Sequence, residues 1–454
     1  MKNTITDKVH FFIFLLLGLS CLTAQIPGMP FGTLKEKEVR NVFGGTDDDK
    51  AYSVTRTADG GYAVAGSTES NNGDVSGNHG NNDVWIVKFK KKGDVEWKKT
   101  YGGSGEDMAR SIIQTADGGY AVAGFTTSSY SGNVSLNQGD SDVWVIKLDP
   151  AGAIEWQKTY GGSGADEAKS IIQNTDGSYV LAGYTQSNDG DVSGNHGGID
   201  FWVVKLSGSG NIEWQKAKGG TNQDVAHSVI STPDGGYMVT GYTYSNDGDV
   251  SGNHGNYDLW VVKFSGAGTL EWQKPLGGTD DDGAVSIAAA SDGGYVLAGY
   301  IYSNDGNVSG NHGDYDIWVV KISGTGAIEW QKPIGGSSDE YPNAISRTSD
   351  GGYIVAGYSH SNDGDISGNH GNYDMWLVKL SNTGGIQWQK ALGGTDEDVA
   401  CSVSETIDGK YVVSGYTLSV NGDVIGSHNG ASDFFILQVD ATGHTVYFYE
   451  DIPL

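Results

Sequence analysis

Oxygen-bearing side chains recur at metal-ligand spacing in one class of loop. In the stretch that begins at Asp189, oxygen side chains stand at positions 1, 3, 5 and 12, and glycine stands at position 6. This is the ligand pattern of an EF-hand calcium loop, in which about six to eight oxygens surround the ion and glycine permits a sharp turn. The pattern predicts a calcium site formed by Asp189, Asp191, Ser193 and Asp200.

The same pattern returns in four further loops. The ligands predicted there are Asp247, Asp249, Ser251 and Asp258; Asp363, Asp365, Ser367 and Asp374; Asn72, Asp74, Ser76 and Asp83; and Asp305, Asn307, Ser309 and Asp316. Two other copies depart from it, because each has one extra residue and one has Leu136 in place of the glycine. The alternative is a solvated Asn/Asp/Gly loop, in which aspartate begins turns by bonding its own backbone.

The loops belong to a unit that occurs seven times. The 12 tryptophans form two series whose members are about 58 residues apart, as from Trp202 to Trp260 (260 − 202 = 58). In one copy, strands are predicted over residues 285–290, 295–300, 316–322 and 328–333. The repeat therefore predicts an all-β, seven-bladed β-propeller with four antiparallel strands per blade.

Proline and small residues indicate how the strands are arranged. Pro275 and Pro333 fall in fourth strands, and proline belongs on sheet edges because it lacks an N–H donor. Ala298 and Gly299 in a second strand are expected to let neighbouring blades approach each other near the axis. Residues 37–43 and 445–449 both resemble fourth strands. We therefore expect one chain end to complete the blade at the other end, and the remaining end to be surplus or to stack outside.

A second acidic column stands five residues after the first glycine of a recurring Gly-Gly pair. Its members are Asp49, Asp107, Asp166, Asp224, Asp282, Glu340 and Asp398. They would form either a ring of carboxylates near the channel mouth or seven identical turn bonds to backbone N–H groups. We prefer the turn bonds, because aspartate commonly bonds nearby backbone in turns.

Charge and the N-terminus indicate where the protein works. Acidic residues outnumber basic residues by 56 to 28, a formal charge of 28 − 56 = −28, which argues against nucleic acid or anionic lipid as a partner. Residues 1–24 carry a lysine-flanked apolar run too short to span a bilayer, and are predicted to be an export signal peptide. A linker at 25–36 and the propeller at 37–454 follow. Cleavage after Ala24 is preferred, and lipid attachment at Cys21 is the alternative.

The repeat also carries four recurring motifs: Asp-Gly-Gly-Tyr, Ser-Asn-Asp-Gly-Asp-Val-Ser-Gly-Asn-His-Gly, Asp-x-Trp-Val-Val-Lys and Glu-Trp-Gln-Lys. In these motifs the chain resembles exported bacterial β-propeller repeat proteins over about residues 37–440. The resemblance implies a propeller fold and export, and it implies no particular activity.

A catalytic site should stand out from the repeat. The residues that depart from it are Arg56, Arg110, Tyr130, His227, Tyr341, Arg347, His360 and Cys401. They are scattered along the sequence and form no nucleophile–base signature, so we predict a non-catalytic binding or scaffold protein, secreted or on the cell surface. The alternative is a polysaccharide-active enzyme, a glycoside hydrolase or lyase, which a channel-mouth cluster of these residues alone would favour.

Tyrosines of the long loops are the candidates for ligand binding. They are Tyr244, Tyr257, Tyr302, Tyr315 and Tyr373. Aromatic faces beside amide and carboxylate groups suit sugar rings and protein partners alike, and the alternative is that these rings pack the loops onto the blades. We expect an extracellular glycan or protein as the partner, with calcium as the one cofactor, and a monomeric protein.

Overall fold

Residues 40–426 and 430–446, which the computed structural model describes, form 28 β-strands and no helix. The first, innermost strands are β2 (Asp49–Arg56), β6 (Asp107–Gln114), β10 (Asp166–Gln173), β14 (Asp224–Ser231), β18 (Asp282–Ala289), β22 (Glu340–Arg347) and β26 (Asp398–Glu405). The second strands are β3 (Tyr62–Thr68), β7 (Tyr120–Thr126), β11 (Tyr179–Thr185), β15 (Tyr237–Thr243), β19 (Tyr295–Ile301), β23 (Tyr353–Ser359) and β27 (Tyr411–Thr417). The third strands are β4 (Asp83–Phe89), β8 (Asp142–Leu148), β12 (Asp200–Leu206), β16 (Asp258–Phe264), β20 (Asp316–Ile322), β24 (Asp374–Leu380) and β28 (Asp433–Val439). The outer strands are β5 (Val95–Tyr101), β9 (Ile154–Tyr160), β13 (Ile212–Lys218), β17 (Leu270–Leu276), β21 (Ile328–Ile334), β25 (Ile386–Leu392) and β1 (Val42–Phe43).

The strands form seven antiparallel four-stranded sheets, each ordered from the first strand to the fourth. Every inner strand packs on the inner strand of the next blade, and β2 also packs on β26 and β27, so the first and last blades meet. The predicted seven-bladed propeller is confirmed. The predicted signal peptide (1–24) and linker (25–36) lie outside the described residues. Within the described part, no helix has the length and apolarity needed to cross a membrane.

Both chain ends contribute to the outer edge of the seventh blade. β1 pairs antiparallel with the Phe434 end of β28. At the opposite end of β28, Val439 bridges Thr445, and the backbone N–H of Val446 donates to the carbonyl of Gln438. The expectation that one end completes the blade at the other end is confirmed for the N-terminal strand. The expectation that the C-terminal strand at 445–449 is surplus or stacks outside falls largely beyond the described residues, of which 445–446 extend the same sheet edge as β1.

The third strands build the core between the blades. All seven residues of β20 are buried, and the indole N–H of its Trp318 donates to Gln331 Oε1 at 2.9 Å. The ammonium of Lys321 is buried as well, and it pairs with Asp292 at 2.7 Å and with Glu329. Because the lysine keeps two carboxylate partners, the desolvation cost of its burial is offset.

A β-bulge interrupts every inner strand at its fourth residue. In β18 the register slips between Ala284 and Ser286, so Val285 has no partner in β19. Gly299 lies opposite the bulge, and a Cβ there would lie 2.1 Å from the carbonyl oxygen of Gly283. The second-strand glycine therefore makes room for the bulge of its own blade. The expected close approach of blades holds for Ala298, which belongs to one buried cluster with Val355 of the next blade. Gly299 serves the bulge, and the bulge directs one side chain per blade to the axis.

Candidate functional site

The bulged residues face a cavity on the propeller axis. Its volume is about 410 Å³. Seven lining residues come one from each inner strand, at the same position: Tyr52, Arg110, Lys169, His227, Val285, Asn343 and Cys401. No two of these seven are alike, although alanine precedes the position and serine follows it in six of the seven strands. We call these residues the channel ring. It is a non-repeating site inside a repeating scaffold.

The basic part of the channel ring shares one carboxylate. Glu167 is buried, and its Oε1 accepts hydrogen bonds from Arg110 Nε at 2.6 Å and Lys169 Nζ at 2.7 Å. Burial acts to raise the pKa of Glu167, but the charges of Lys169 and Arg110 outweigh it and lower that pKa. The Arg110 guanidinium also lies 4.7 Å from the ring centre of Tyr52. Two cations therefore face one anion on this side of the cavity.

The remaining polar members of the channel ring are neutral. Burial, the largest cause, lowers the pKa of His227 to about 4, and its Nδ1 lies 3.0 Å from the carbonyl oxygen of Ala284. Since a carbonyl only accepts, Nδ1 carries the proton. Burial raises the pKa of Cys401 to about 12, so its thiol stays protonated at neutral pH. Asn343 donates to the carbonyl of Ala400 at 2.8 Å. These groups offer hydrogen bonds rather than an activated nucleophile.

Six tyrosines form an aromatic crescent that leads from the cavity to the long-loop face. Its members are Tyr300, Tyr302, Tyr315, Tyr341, Tyr358 and Tyr373, with neighbouring ring centres 5.0–5.8 Å apart. Tyr302 and Tyr315 stand at the two ends of the loop between β19 and β20, and Tyr358 lines the cavity. The crescent therefore joins the loops to the channel ring on one side of the axis.

The structure brings the predicted ligand-binding tyrosines together in two groups. Tyr302, Tyr315 and Tyr373 belong to the crescent, and Tyr244 packs with Tyr257 in the fourth blade at 4.9 Å between ring centres. These ring contacts fit the alternative in which tyrosines pack the loops. Tyr302 and Tyr244 nevertheless keep 45% and 43% of their surface exposed, so ligand binding by these residues stays a prediction.

Five of the eight residues that depart from the repeat meet at this site. Arg110, His227 and Cys401 line the cavity, Tyr341 belongs to the crescent, and the His360 ring lies beside the last crescent tyrosine at 5.0 Å. The expectation that they are scattered is therefore wrong. Three of them, Arg110, His227 and Cys401, occupy one column of the repeat, which their residue types alone do not reveal.

Sequence reasoning missed Tyr52, Lys169 and Asn343. The signal that finds them is their place in the repeat, since each stands three residues after a member of the second acidic column. In a regular strand, successive side chains point to opposite faces of the sheet. The bulge at the fourth residue of each inner strand breaks this alternation, and it directs the side chain of that residue toward the axis.

The first ligand residue of each predicted calcium loop faces the segment that leads into its own blade. Asp189 Oδ1 accepts from the N–H of Ser163 at 2.7 Å, and Asp191 Oδ2 accepts from the N–H of Gly161 at 3.3 Å. The first loop residue makes the same contact in the other predicted sites, namely Asp247, Asp305, Asp363 and Asn72. In two loops the third residue is held by basic side chains: Asp74 by Arg40 and Lys98, and Asp249 by Lys218.

The later oxygens of the same loops face the opposite side of the blade. Ser193 Oγ accepts from Gln215 Nε2 at 2.7 Å, and Asp200 Oδ2 accepts from the N–H of His196 at 3.0 Å. A Cβ on Gly219, which leads into the next blade, would lie 2.7 Å from Asp200 Oδ1. The histidine contact recurs at Asp83, Asp258, Asp316 and Asp374, and the glutamine contact at Ser251 and Ser367. The structure therefore does not gather the oxygens of one loop around a point.

Calcium binding stays a prediction, and it requires these side chains to leave their present partners. Among the described residues, no group of three or more His, Cys, Asp or Glu side chains is placed to hold a metal ion. If the loops bind calcium, adding it to chelator-treated protein raises the melting temperature, because each occupied site stabilises the folded state by about 2.7 kcal/mol at a hundredfold excess over Kd. Changing Asp189, Asp191 and Asp200 together to asparagine is expected to remove the stabilisation that calcium gives at one site. A melting temperature unmoved by calcium would assign the loops to hydrogen-bonded turns.

The second acidic column is buried rather than exposed in the channel. All seven carboxylates have an exposed fraction of 0%, and each accepts a hydrogen bond of 2.7–2.8 Å from the second glycine of the Gly-Gly pair. The turn-bond interpretation is confirmed. A second buried carboxylate lies nearby: a Cβ on Gly161 would lie 2.4 Å from Asp142 Oδ1 and 2.6 Å from Asp166 Oδ2. Glycine occupies this position because two carboxylates fill the space around it.

Comparison with known proteins supports the fold and leaves the function open. No protein-family model matches the chain. The regulatory protein FlaEY of Caulobacter vibrioides is 27% identical over 217 residues, which are 43% of this chain and 22% of that protein. An uncharacterised WD repeat-containing protein, L264, of Acanthamoeba polyphaga mimivirus is 23% identical over 418 residues, 66% of this chain and 30% of that protein. The chain thus spans less than a third of either relative.

Solved structures with similar folds have low sequence identity. A puromycin hydrolase S511A mutant complexed with PGG is 10% identical with a TM-score of 0.50, and the match covers 91% of this chain and 54% of that one. The β-propeller domain of the Trilobed protease from Pyrococcus furiosus is 12% identical with a TM-score of 0.44, over 89% of this chain and 97% of that one. At these identities the likeness concerns the fold alone.

Proposed function

We propose that this chain is a non-catalytic β-propeller binding or scaffold protein that engages an extracellular glycan or protein through its long-loop face. One observation carries the proposal: seven different side chains form the channel ring, although the scaffold around them repeats. If the seven repeats were identical copies, the same side chain would stand at this position in every inner strand. The unique set creates one asymmetric site, and the aromatic crescent leads to it from the loops.

Size and chemistry of the site suit a ligand. A cavity of about 410 Å³ falls within the range of about 300–1,000 Å³ that is usual for ligand pockets. Tyrosine supplies a rigid apolar surface with a polar tip, which is why it is enriched where proteins bind partners. Exposed Tyr302 and half-buried Tyr315 stand where a ligand arriving from the long-loop face meets the crescent.

A channel-mouth cluster made only of the residues that depart from the repeat would favour polysaccharide cleavage, the alternative function. Five of them do meet there, but together with Tyr52, Lys169 and Asn343, and the chemistry of the cavity favours binding. Glycoside hydrolysis needs two carboxyl groups that flank the scissile bond. Among the described residues no such pair is free at the cavity itself, because Glu167 is committed to Arg110 and Lys169 and the seven carboxylates of the second acidic column are enclosed by backbone and hydroxyl donors. Three partly exposed carboxylates stand outside it, beside the crescent: Asp281, Asp339 and Glu397. Release of new reducing ends from a bound glycan would nevertheless establish the enzyme.

Export belongs to the same proposal. Residues 1–24 are proposed to direct the chain out of the cytoplasm, with cleavage after Ala24 and lipid attachment at Cys21 as the alternative. N-terminal sequencing of the native protein separates the two, because cleavage exposes Gln25 whereas lipidation leaves Cys21 as the first residue.

Binding to a glycan array and to a panel of purified surface proteins, each with and without calcium, tests the proposal. The double change Tyr302→Ala and Tyr315→Ala is expected to weaken binding about tenfold or more, because it removes two aromatic anchors at the mouth. Tyr130→Ala is the matched control, since Tyr130 is 77% exposed in the second blade and lies outside the crescent. Equal loss in both variants, or no ligand on either panel, would contradict the proposal.

A further inference from the structure

Three carboxylates stand beside the aromatic crescent. Asp281, Asp339 and Glu397 each lie one residue before an inner strand; they precede β18, β22 and β26 respectively. The hydroxyl of Tyr315 lies 3.4 Å from Asp281 Oδ2. Burial, followed by the charge of Asp281, raises the pKa of Tyr315 to about 12. All three carboxylates are partly exposed, so this side of the mouth combines aromatic rings with accessible negative charge.

The charge of Asp339 reaches several rings of the crescent. It contributes, after burial, to raising the pKa values of Tyr341, Tyr358 and Tyr373, and Glu397 contributes at Tyr358 and Tyr373 as well. The phenol groups therefore stay neutral, and the carboxylates carry the charge at this side of the mouth.

These three carboxylates have no salt-bridge partner among the described residues, whereas two other carboxylates near the channel do. Asp48 of the first blade lies 3.8 Å from Lys50, and Glu167, beside the cavity, pairs with both Arg110 and Lys169. In the described part of the chain, no salt bridge joins Asp281, Asp339 or Glu397 to a basic side chain. Among the described residues, the half of the mouth that carries the crescent therefore holds three partly exposed carboxylates without a basic partner.

We infer that the crescent with Asp281, Asp339 and Glu397 binds a lysine or arginine side chain of a protein partner. This inference rests on the proposed function and names the group that the site recognises. The aliphatic stem of such a side chain packs on tyrosine rings while its charged head reaches a carboxylate. Aromatic faces attract cations, and the net charge of −28 draws a basic partner toward the face. An amino sugar carries its ammonium on the ring and lacks the stem.

The probe is a synthetic lysine–glycine–serine repeat peptide, titrated calorimetrically into the full-length protein. The same peptide with acetylated lysines keeps its length and loses its charge. We expect the acetylated peptide to bind at least about fivefold more weakly, and added salt to weaken the lysine peptide. The double change Asp339→Asn and Glu397→Gln, which keeps side-chain shape, is expected to lower affinity by a similar factor. Asp47→Asn removes one exposed charge from the same face in the first blade and is expected to leave affinity within about twofold.

The outcomes separate this inference from the proposed function. If the array or panel yields a ligand whose binding depends on the crescent, while the lysine peptide and its acetylated form bind alike, the inference is overturned and the proposed function stands. If Asp47→Asn weakens binding as much as the double change, the recognition is overall charge, and the inference again fails. Tighter binding of a chitosan oligomer than of the lysine peptide would also overturn it, because the recognised group would then belong to a glycan.

Discussion

Changing Phe43 to alanine is expected to lower the free energy of unfolding by about 3–5 kcal/mol, the usual cost of deleting a buried phenylalanine. Phe43 is 7% exposed and packs T-shaped on Phe89 of the first blade at 5.2 Å. It belongs to one buried cluster with Phe434 and Ile436 of the last blade. Since β1 forms the outer strand of the seventh blade and continues into the first blade, the loss weakens ring closure. Chemical denaturation followed by tryptophan fluorescence measures the change.

Val446→Ala is the control for the closing strand. Val446 is half-buried and lies at the other end of the same sheet edge, so its truncation is expected to cost less than about 1.5 kcal/mol. A large effect of Val446→Ala together with an unchanged Phe43→Ala variant would assign closure to the C-terminal residues. Both variants with wild-type stability would show that neither end holds the ring.

Asp142→Asn is expected to stabilise the protein at pH 7, whereas Asp166→Asn is expected to destabilise it. Both carboxylates are fully buried and face each other across Gly161. Asp142 accepts one hydrogen bond, from the N–H of Gln138, and its Oδ1 has no partner. An asparagine amide there can donate to Asp166. Asp166 accepts from the hydroxyl of Ser187, the N–H of Gly162 and the hydroxyl of Thr185, and an amide nitrogen would meet those donors.

The pH dependence of stability follows from the same buried carboxylates. Burial, the largest cause, raises the pKa values of Asp49, Asp142 and Asp282 to about 6. In the unfolded chain the pKa of aspartate lies near 4, so these carboxyl groups bind protons more tightly in the folded state. Their contribution to the free energy of unfolding is therefore fully present below about pH 4 and is lost as the pH rises to about 6. Hydrogen bonds from Thr232 and Lys263 lower the pKa of Asp234 to about 2, so its contribution is lost as the pH falls from about 4 to 2.

Melting curves between pH 3 and pH 8 check this sign. The protein is expected to melt several degrees higher near pH 4–5 than at pH 7, since each pKa unit corresponds to about 1.4 kcal/mol. This difference in melting temperature should be smaller in the Asp142→Asn variant, because asparagine does not titrate. A melting temperature that falls steadily from pH 7 to pH 4 would contradict the arrangement, as would destabilisation by Asp142→Asn equal to that of Asp166→Asn.

Most of the fold could be predicted because each strand pattern repeats with little change. The strands predicted at 295–300, 316–322 and 328–333 differ from β19, β20 and β21 by at most one residue. The inner strand was the exception: the prediction began at residue 285, whereas β18 begins at Asp282. Gly283 and Ala284 are poor strand formers, and the bulge at Val285 breaks the alternation by which a strand is recognised.

The site could be predicted only in part, because spacing along a loop does not fix where side chains point. Asp189 and Asp200 have the spacing of calcium ligands, yet they lie on opposite sides of one blade. Of the crescent, Tyr302, Tyr315 and Tyr373 were predicted as ligand-binding tyrosines of the long loops and Tyr341 as a departure from the repeat, whereas Tyr300 and Tyr358 were not predicted. Lys169 was not predicted, because charged side chains are common in the sequence. Its place at the axis follows from its position as the fourth residue of an inner strand.

Hydrogen–deuterium exchange of the protein with and without its tightest ligand tests the binding site most directly. Binding at the mouth should slow exchange in residues 300–315 and 339–341, and leave the turns of the opposite face, such as residues 323–327, unchanged. Slowed exchange at those opposite-face turns, or equal slowing in all seven long loops, would contradict a single asymmetric site at the channel.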